Sequence, residues 1–189
     1  MAYLVAVNVL IGLLAALNLL FTVGVVRRLR EHTTELAALR ASGTARPIPA
    51  DDVALPVGVP AGEFAAATLD GEPVTLGTLG DRPLVGFFSP HCQPCKEQLP
   101  TFIKYAGARP GGRDAVLAVI VGTEEEAEAT AERLRPVATV VVEPDAGPIQ
   151  QAFRVTGFPA FLLVEDGTVA ASDYVFLPVA DRDLAVLAP

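Results

Sequence analysis

Cys92 and Cys95 are the only two cysteines in the chain and stand two residues apart, as Cys92-Gln93-Pro94-Cys95. A thiol pair at that spacing can close and reopen a small disulfide ring, attack a disulfide elsewhere, or contribute to a metal site. The metal use is disfavoured by ligand supply. Zinc takes four ligands, and the chain adds only His32 and His91 to the two thiols. A disulfide-stapled mini-protein is also excluded, since that needs several pairs closing longer loops. The dithiol therefore reads as redox chemistry carried by the protein's own sulfurs, with no metal and no cofactor.

The elements around the pair sharpen that reading. Leu84-Val85-Gly86-Phe87-Phe88 is a short continuous apolar run suited to a buried strand, and helical character follows from Cys95 to Ala106. Cys92 thus falls at a strand-to-helix junction, facing unpaired backbone N–H groups and the positive end of the helix dipole. Both favour the thiolate, the reactive form of a cysteine. Cys95, a turn further into the helix, is expected to be more buried. The division of labour that follows is attack by Cys92 and resolution of the mixed disulfide by Cys95. Pro100, inside the same segment, is expected to kink the helix.

Residues 1–26 contain no charged side chain and are dominated by Leu, Val and Ala. A helix needs ~20 such residues to cross a ~30 Å hydrocarbon core, so this stretch predicts an uncleaved, single-pass transmembrane anchor. Residues 27–60 read as a juxtamembrane helix over 27–41 followed by a Pro- and Gly-rich linker. Five arginines against two glutamates between Arg27 and Arg46 make this segment basic, with anionic membrane lipid as its counter-charge. From Pro47 onward nine basic residues face twenty acidic ones. Such an acidic domain repels phosphate backbones and excludes nucleic acid as a partner.

Residues 61–189 alternate strand and helix signals. Hairpins are predicted at Phe64–Leu69/Pro73–Leu76 and at Ala160–Val164/Val169–Ser172, each around an Asp-Gly turn. Strands are predicted at Pro83–Phe88, Ala115–Val121 and Thr139–Val142, and a short helix at Pro148–Phe153. Thr123 followed by Glu124, Glu125 and Glu126 reads as an N-cap and first helical turn, its acidic residues forming a solvated face. The pattern gives an α/β domain with a central mixed sheet flanked by helices and closed by the second hairpin.

FFSPHCQPCKEQLP followed by VTGFPAFLLV resembles the thioredoxin superfamily, from about Ala61 to the C-terminus. The anchored layout is similar to the TlpA/ResA group of protein-disulfide reductases. Phe88-Ser89-Pro90 and the apolar N-terminus running into arginines look closest to MauD-type methylamine-utilisation proteins. The resemblance implies a thioredoxin-like fold and exchange with the thiols and disulfides of partner proteins, fed by a membrane electron donor. It also implies that Pro159 is cis and sits against the dithiol, that Phe158 before it shapes partner choice, and that Pro94 leans toward reduction. Pro159 follows Cys92 by 67 positions, a distance compatible with the extra strand–helix insertion of the TlpA-like branch.

Several positions depart from the family pattern. His91 replaces the usual aromatic residue; it either tunes Cys92 electrostatically or is a solvated loop histidine. Gly86 stands where thioredoxins place a buried carboxylate, and Gln98 where many TlpA-like reductases have Glu. Glu97 is turned about 100° away on a helix. A peroxidase pattern needs Pro seven and Thr or Ser three residues before the reactive Cys. Ser89 meets the second condition for Cys92, but Val85 fails the first.

The basic flank of the anchor favours a cytoplasmic domain, whereas the family layout favours the extracytoplasmic face, which is the side expected here. The competing functions are a non-catalytic membrane adaptor with idle cysteines and a cytoplasm-facing redox sensor.

Overall fold

The protein is described by a computed structural model over residues 53–80 and 82–187, with Gly12 alone from the stretch before them. The expected transmembrane helix over 1–26 and juxtamembrane helix over 27–41 lie outside the described residues. Among the described residues no helix is long and apolar enough to cross a membrane.

Runs of Val, Leu, Ile and Phe form the strands of one five-stranded sheet. They are β3 (Leu84–Phe88), β4 (Val116–Val121), β5 (Thr139–Glu143), β6 (Ala160–Glu165) and β7 (Thr168–Asp173), ordered β5-β4-β3-β6-β7. β3, β4 and β5 run parallel, while β6 is antiparallel to β3 and β7 to β6. A mixed sheet of this kind buries both faces, which is why β3 and β4 are apolar at every position and fully buried. The β6–β7 turn is Asp166-Gly167, both with positive φ (49° and 74°), the geometry a two-residue hairpin loop requires.

Helices α1 (Gln93–Ala108), α2 (Glu124–Leu134) and α4 (Phe176–Leu187) cover one face. There Phe88, Phe102, Phe161 and Phe176 pack edge-on or tilted, with ring centroids 5.2–5.8 Å apart. The other face carries the short helix α3 (Pro148–Ala152) and the two-residue strands β1 (Ala66–Ala67) and β2 (Pro73–Val74). That first hairpin is shorter than its sequence pattern, with only Ala66↔Val74 and Ala67↔Pro73 in register. Its flanks do other work: Phe64 packs on Phe153, and the Leu69 N–H donates to the Val140 carbonyl on edge strand β5.

Two features differ from the sequence pattern. Composition reads residues 42–60 as linker, yet Ala54 and Leu55 are buried, and residues 58–61 lie along edge strand β7. The second hairpin does not close the fold either, because α4 follows it. Pro178 and a charged centre disguise this helix, and its start is held from outside. Asp173 accepts the Val175 N–H (2.8 Å), the side chain of Gln98 accepts the Phe176 N–H (2.7 Å), and Pro178 has no N–H to satisfy.

At the C-terminal end of α1 the elements are joined by a buried ion network. Arg109 donates to both oxygens of Asp183 (2.6 and 3.3 Å) and to the carbonyls of Arg82 and Ala115. Tyr105 donates to the same carboxylate, and Arg82 pairs with Asp183 and with Glu165. Burial, then the bond to Asp183, pushes the Tyr105 hydroxyl well above its ordinary value. Asp183 is 0% exposed, so removing it strands a buried guanidinium. Asp183→Ala is expected to cost about 3–5 kcal/mol of stability in urea unfolding. A loss below about 1 kcal/mol, the range of a solvated pair, would contradict this account.

Candidate active site

The site is built where β3 runs out. After Phe88 the chain turns through Ser89-Pro90-His91, closed by the Cys92 N–H bonding the Ser89 carbonyl at 3.1 Å. Cys92 then serves as the N-cap of α1 with extended backbone angles (φ −83°, ψ 112°). Its sulfur takes the place of the usual capping oxygen, accepting the Cys95 N–H at 3.1 Å. Gln93 and Pro94 fill the first turn, where the missing proline N–H leaves no bond unmade. Cys92 is half-buried and Cys95 is 3% exposed, and the two are joined as a disulfide. The helix continues through Pro100, which is on its solvent side.

The second wall comes from 66 residues further on. The Phe158–Pro159 peptide is cis, Pro159 is buried, and the Phe158 carbonyl oxygen lies 3.4 Å from Cys92 Sγ. In the dithiol form that oxygen can accept a hydrogen bond from the Cys92 thiol. Cys92, Cys95, Phe158 and Pro159 thus form one cluster, with Pro94 on its exposed rim.

His91 is outside that cluster but not loose. Its ring is 77% exposed, and Nε2 lies 3.0 Å from Glu126 Oε1. The other oxygen of Glu126 accepts the N–H and the hydroxyl of Thr123 (3.1 and 2.9 Å), completing a capping box at the start of α2. Glu126 therefore belongs to the site's surroundings and not only to a solvated acidic face. The Thr-x-x-Glu spacing at 123–126 is the signal that could have found it. His91 and then Thr123 hold the Glu126 carboxyl at about 2, well below its ordinary value.

The departures noted at Gly86, Glu97 and Gln98 have structural counterparts. A β-carbon at Gly86 would stand 2.9–3.0 Å from the rings of Phe102 and Phe88, so aromatic packing occupies that space. Gln98 uses both ends of its amide, donating to the Tyr174 carbonyl (2.9 Å) and accepting from Phe176 N–H. A carboxylate there could satisfy only the second of these. Glu97 is exposed and pairs with Gln93 at 3.2 Å, along the outside of α1.

The model of the AhpC/TSA family matches residues 57–172, more than half of the chain and all of the site. The chain belongs to the AhpC/TSA family. Among similar proteins, this family member is 25% identical over 110 residues to the sporulation thiol-disulfide oxidoreductase A of Bacillus subtilis, covering 56% of this chain and 67% of that protein. The thioredoxin domain of a thiol-disulfide oxidoreductase from Bacteroides vulgatus superposes with a TM-score of 0.60 at 21% identity, covering 70% of this chain and 98% of that one. A secreted disulfide oxidoreductase of Mycobacterium tuberculosis gives 0.54 at 21% identity, covering 65% and 95%. These superpositions show a thioredoxin-like fold.

The depressed Glu126 carboxyl sets a pH dependence. Its ionised form is favoured in the folded chain, so its contribution is complete above pH 4.5 and is lost as pH falls toward 2. Urea unfolding should show Glu126→Gln less stable than the parent at pH 6, with the gap closing between pH 4.5 and 2. A gap of constant size would mean that the charge of Glu126 is not its source.

Proposed function

We propose that this AhpC/TSA family member is a thiol–disulfide oxidoreductase acting on partner proteins through Cys92 and Cys95. The observation that carries the reading is the sulfur cap: Cys92 caps the start of α1 with its Sγ on the Cys95 N–H, where a thiolate is stabilised by the bond and the helix dipole. The curated relative and the two similar structures are all named for disulfide oxidoreductase chemistry, which supports the same activity here.

In the reducing direction the Cys92 thiolate attacks a partner disulfide. A Cys92–partner disulfide forms, and the second partner sulfur leaves as a thiolate that takes up a proton. Cys95, having lost its proton, then attacks Cys92 Sγ. The Cys92–Cys95 bond forms and the first partner sulfur is released. Two electrons have moved from the dithiol to the partner, and a donor at the membrane restores the dithiol. In this reading Pro94, Phe158 and Pro159, with His91 in the turn before Cys92, shape the approach of the partner chain. A peroxidase has less support: Val85, where a peroxidase pattern has proline, is buried in β3 between Leu117 and Leu162.

The finer reading is a TlpA/ResA-like reductase, nearest MauD-type proteins, anchored by residues 1–26 through a juxtamembrane segment, its thioredoxin-like domain on the extracytoplasmic face. The uncharged apolar N-terminus supports the anchor, and the secreted Mycobacterium tuberculosis relative in fold supports the outward placement.

The experiment is a pair of serine variants expressed with native partners. Cys95→Ser is expected to accumulate a mixed disulfide with partner proteins, visible on non-reducing gels and lost on reduction. Cys92→Ser should lower turnover of a protein disulfide by at least about a hundredfold, as loss of a nucleophile does. Full partner maturation by a double serine variant would replace the enzyme with an adaptor. For sidedness, a membrane-impermeant maleimide should label Cys92 in whole cells after mild reduction. Labelling only by a permeant reagent would place the domain in the cytoplasm.

A further inference from the structure

The short strap Val53-Ala54-Leu55 lies in a segment with the proline and glycine content of a linker, yet it is packed like core. Ala54 and Leu55 are 3% and 2% exposed. Two backbone hydrogen bonds, each 2.8 Å, join this strap to the connection between α3 and β6. The Leu55 N–H donates to the Phe153 carbonyl, and the Thr156 N–H donates to the Val53 carbonyl. The Val53 side chain closes on the next residue: a β-carbon at Gly157 would stand 3.0 Å from Val53 Cγ1. The segment so held ends in Phe158, whose carbonyl oxygen faces Cys92 Sγ at 3.4 Å. Gly157 has the widest backbone freedom of any residue, so the connection needs an outside support to fix that carbonyl.

We infer that Val53 and Leu55 are positioning residues for the dithiol, holding the Phe158 carbonyl against Cys92. The importance of this for turnover rests on the oxidoreductase reading above. Two groups compete for the Cys92 sulfur. The Cys95 N–H favours the thiolate, whereas the Phe158 carbonyl accepts from the neutral thiol and presents its negative end to the anion. The strap sets how firmly the second group is applied. The ionisable groups next to Cys92 along the chain are Cys95, Lys96 and Glu97 on α1 and His91 in the preceding turn, and His91 meets Glu126 of α2. Among the described residues none of these is hydrogen-bonded or ion-paired to residues 53–55. A strap substitution therefore reaches Cys92 through the loop.

The test uses the full chain carrying Cys95→Ser, so that Cys92 is the one thiol, and measures its alkylation by iodoacetamide from pH 5 to 9. Val53→Gly removes the wall beside Gly157, and Leu55→Ala removes the buried anchor. Both are expected to move the profile to lower pH and to raise the rate at pH 7 roughly threefold, the effect of losing one weak hydrogen bond. Val74→Ala, in the same apolar cluster as Leu55, is expected to lower the melting temperature and leave the profile in place. Unchanged profiles in folded Val53→Gly and Leu55→Ala would overturn the inference, as would an equal shift in Val74→Ala. If the parent dithiol failed to exchange with protein disulfides while the profile still moved, the proposed activity would fall and the positioning role would stand.

Discussion

One sulfur closing one helix is the constraint on which this structure depends. A thiolate at Cys92 needs N–H groups turned toward it, and such groups stay unpaired only at a helix start. The chain must therefore leave a buried strand, turn within three residues and begin α1 with the cysteine still in extended conformation. β3 supplies the fixed end, hydrogen-bonded to β4 on one side and β6 on the other. The apolar face of α1, with Leu99, Phe102 and Ala106 buried, supplies the other. Neither end alone would hold the cap, since one hydrogen bond contributes only about 1 kcal/mol net. The burial behind it holds the geometry, and in the proposed reaction the cap favours the thiolate of Cys92.

The same packing decides what the site lacks. Phe88, Phe102, Phe161 and Phe176 meet beneath α1, and they fit because position 86 has no side chain. A carboxylate at 86 would have to displace two rings and then remain desolvated among them, a costly placement for an ion. Aromatic core and buried acid are alternatives at this position, and this chain has the core. Gln98 follows similar logic. A neutral amide can join the Tyr174 carbonyl to the Phe176 N–H, and so fasten α4 to the helix that carries Cys95. Two positions that look like losses of catalytic acids are the points where the helical layer is assembled.

Features set by neighbours in sequence were legible beforehand. The dithiol at a strand–helix junction, the Thr123 cap, the Asp166-Gly167 turn and the buried runs of β3 and β4 all follow from local chemistry. What escaped depends on partners far along the chain. α4 was hidden because Pro178 weakens its local signal and because the cap of Phe176 comes from Gln98, 78 residues earlier. The segment 53–60 has the proline and glycine content of a linker, and composition cannot register that Leu55 finds a place beside Phe153. Glu126 was recognised as part of a helix start, but its second oxygen is used by a histidine 35 residues away. The segment Gly157-Phe158-Pro159 lies between these cases: its motif was visible, while the approach of the Phe158 carbonyl to Cys92 requires the sheet to form.

The segment 53–61 also answers a problem that every open sheet has. β7 is an edge strand, and an uncovered edge offers its backbone groups to any other extended chain. Here the Val169 carbonyl accepts from the Gly58 N–H, the Val169 N–H donates to Val59, and the Gly167 carbonyl accepts from Ala61. Pro60 sits opposite Thr168, where its missing N–H costs nothing in an outermost position. The covering stretch takes up backbone groups of β7 that would otherwise be open to a further strand. Because the covering stretch is continuous with the strap beside Gly157, the edge and the loop facing Cys92 are secured by the same nine residues. Loosening one then loosens the other, and that linkage gives a proline-rich segment reason to be packed.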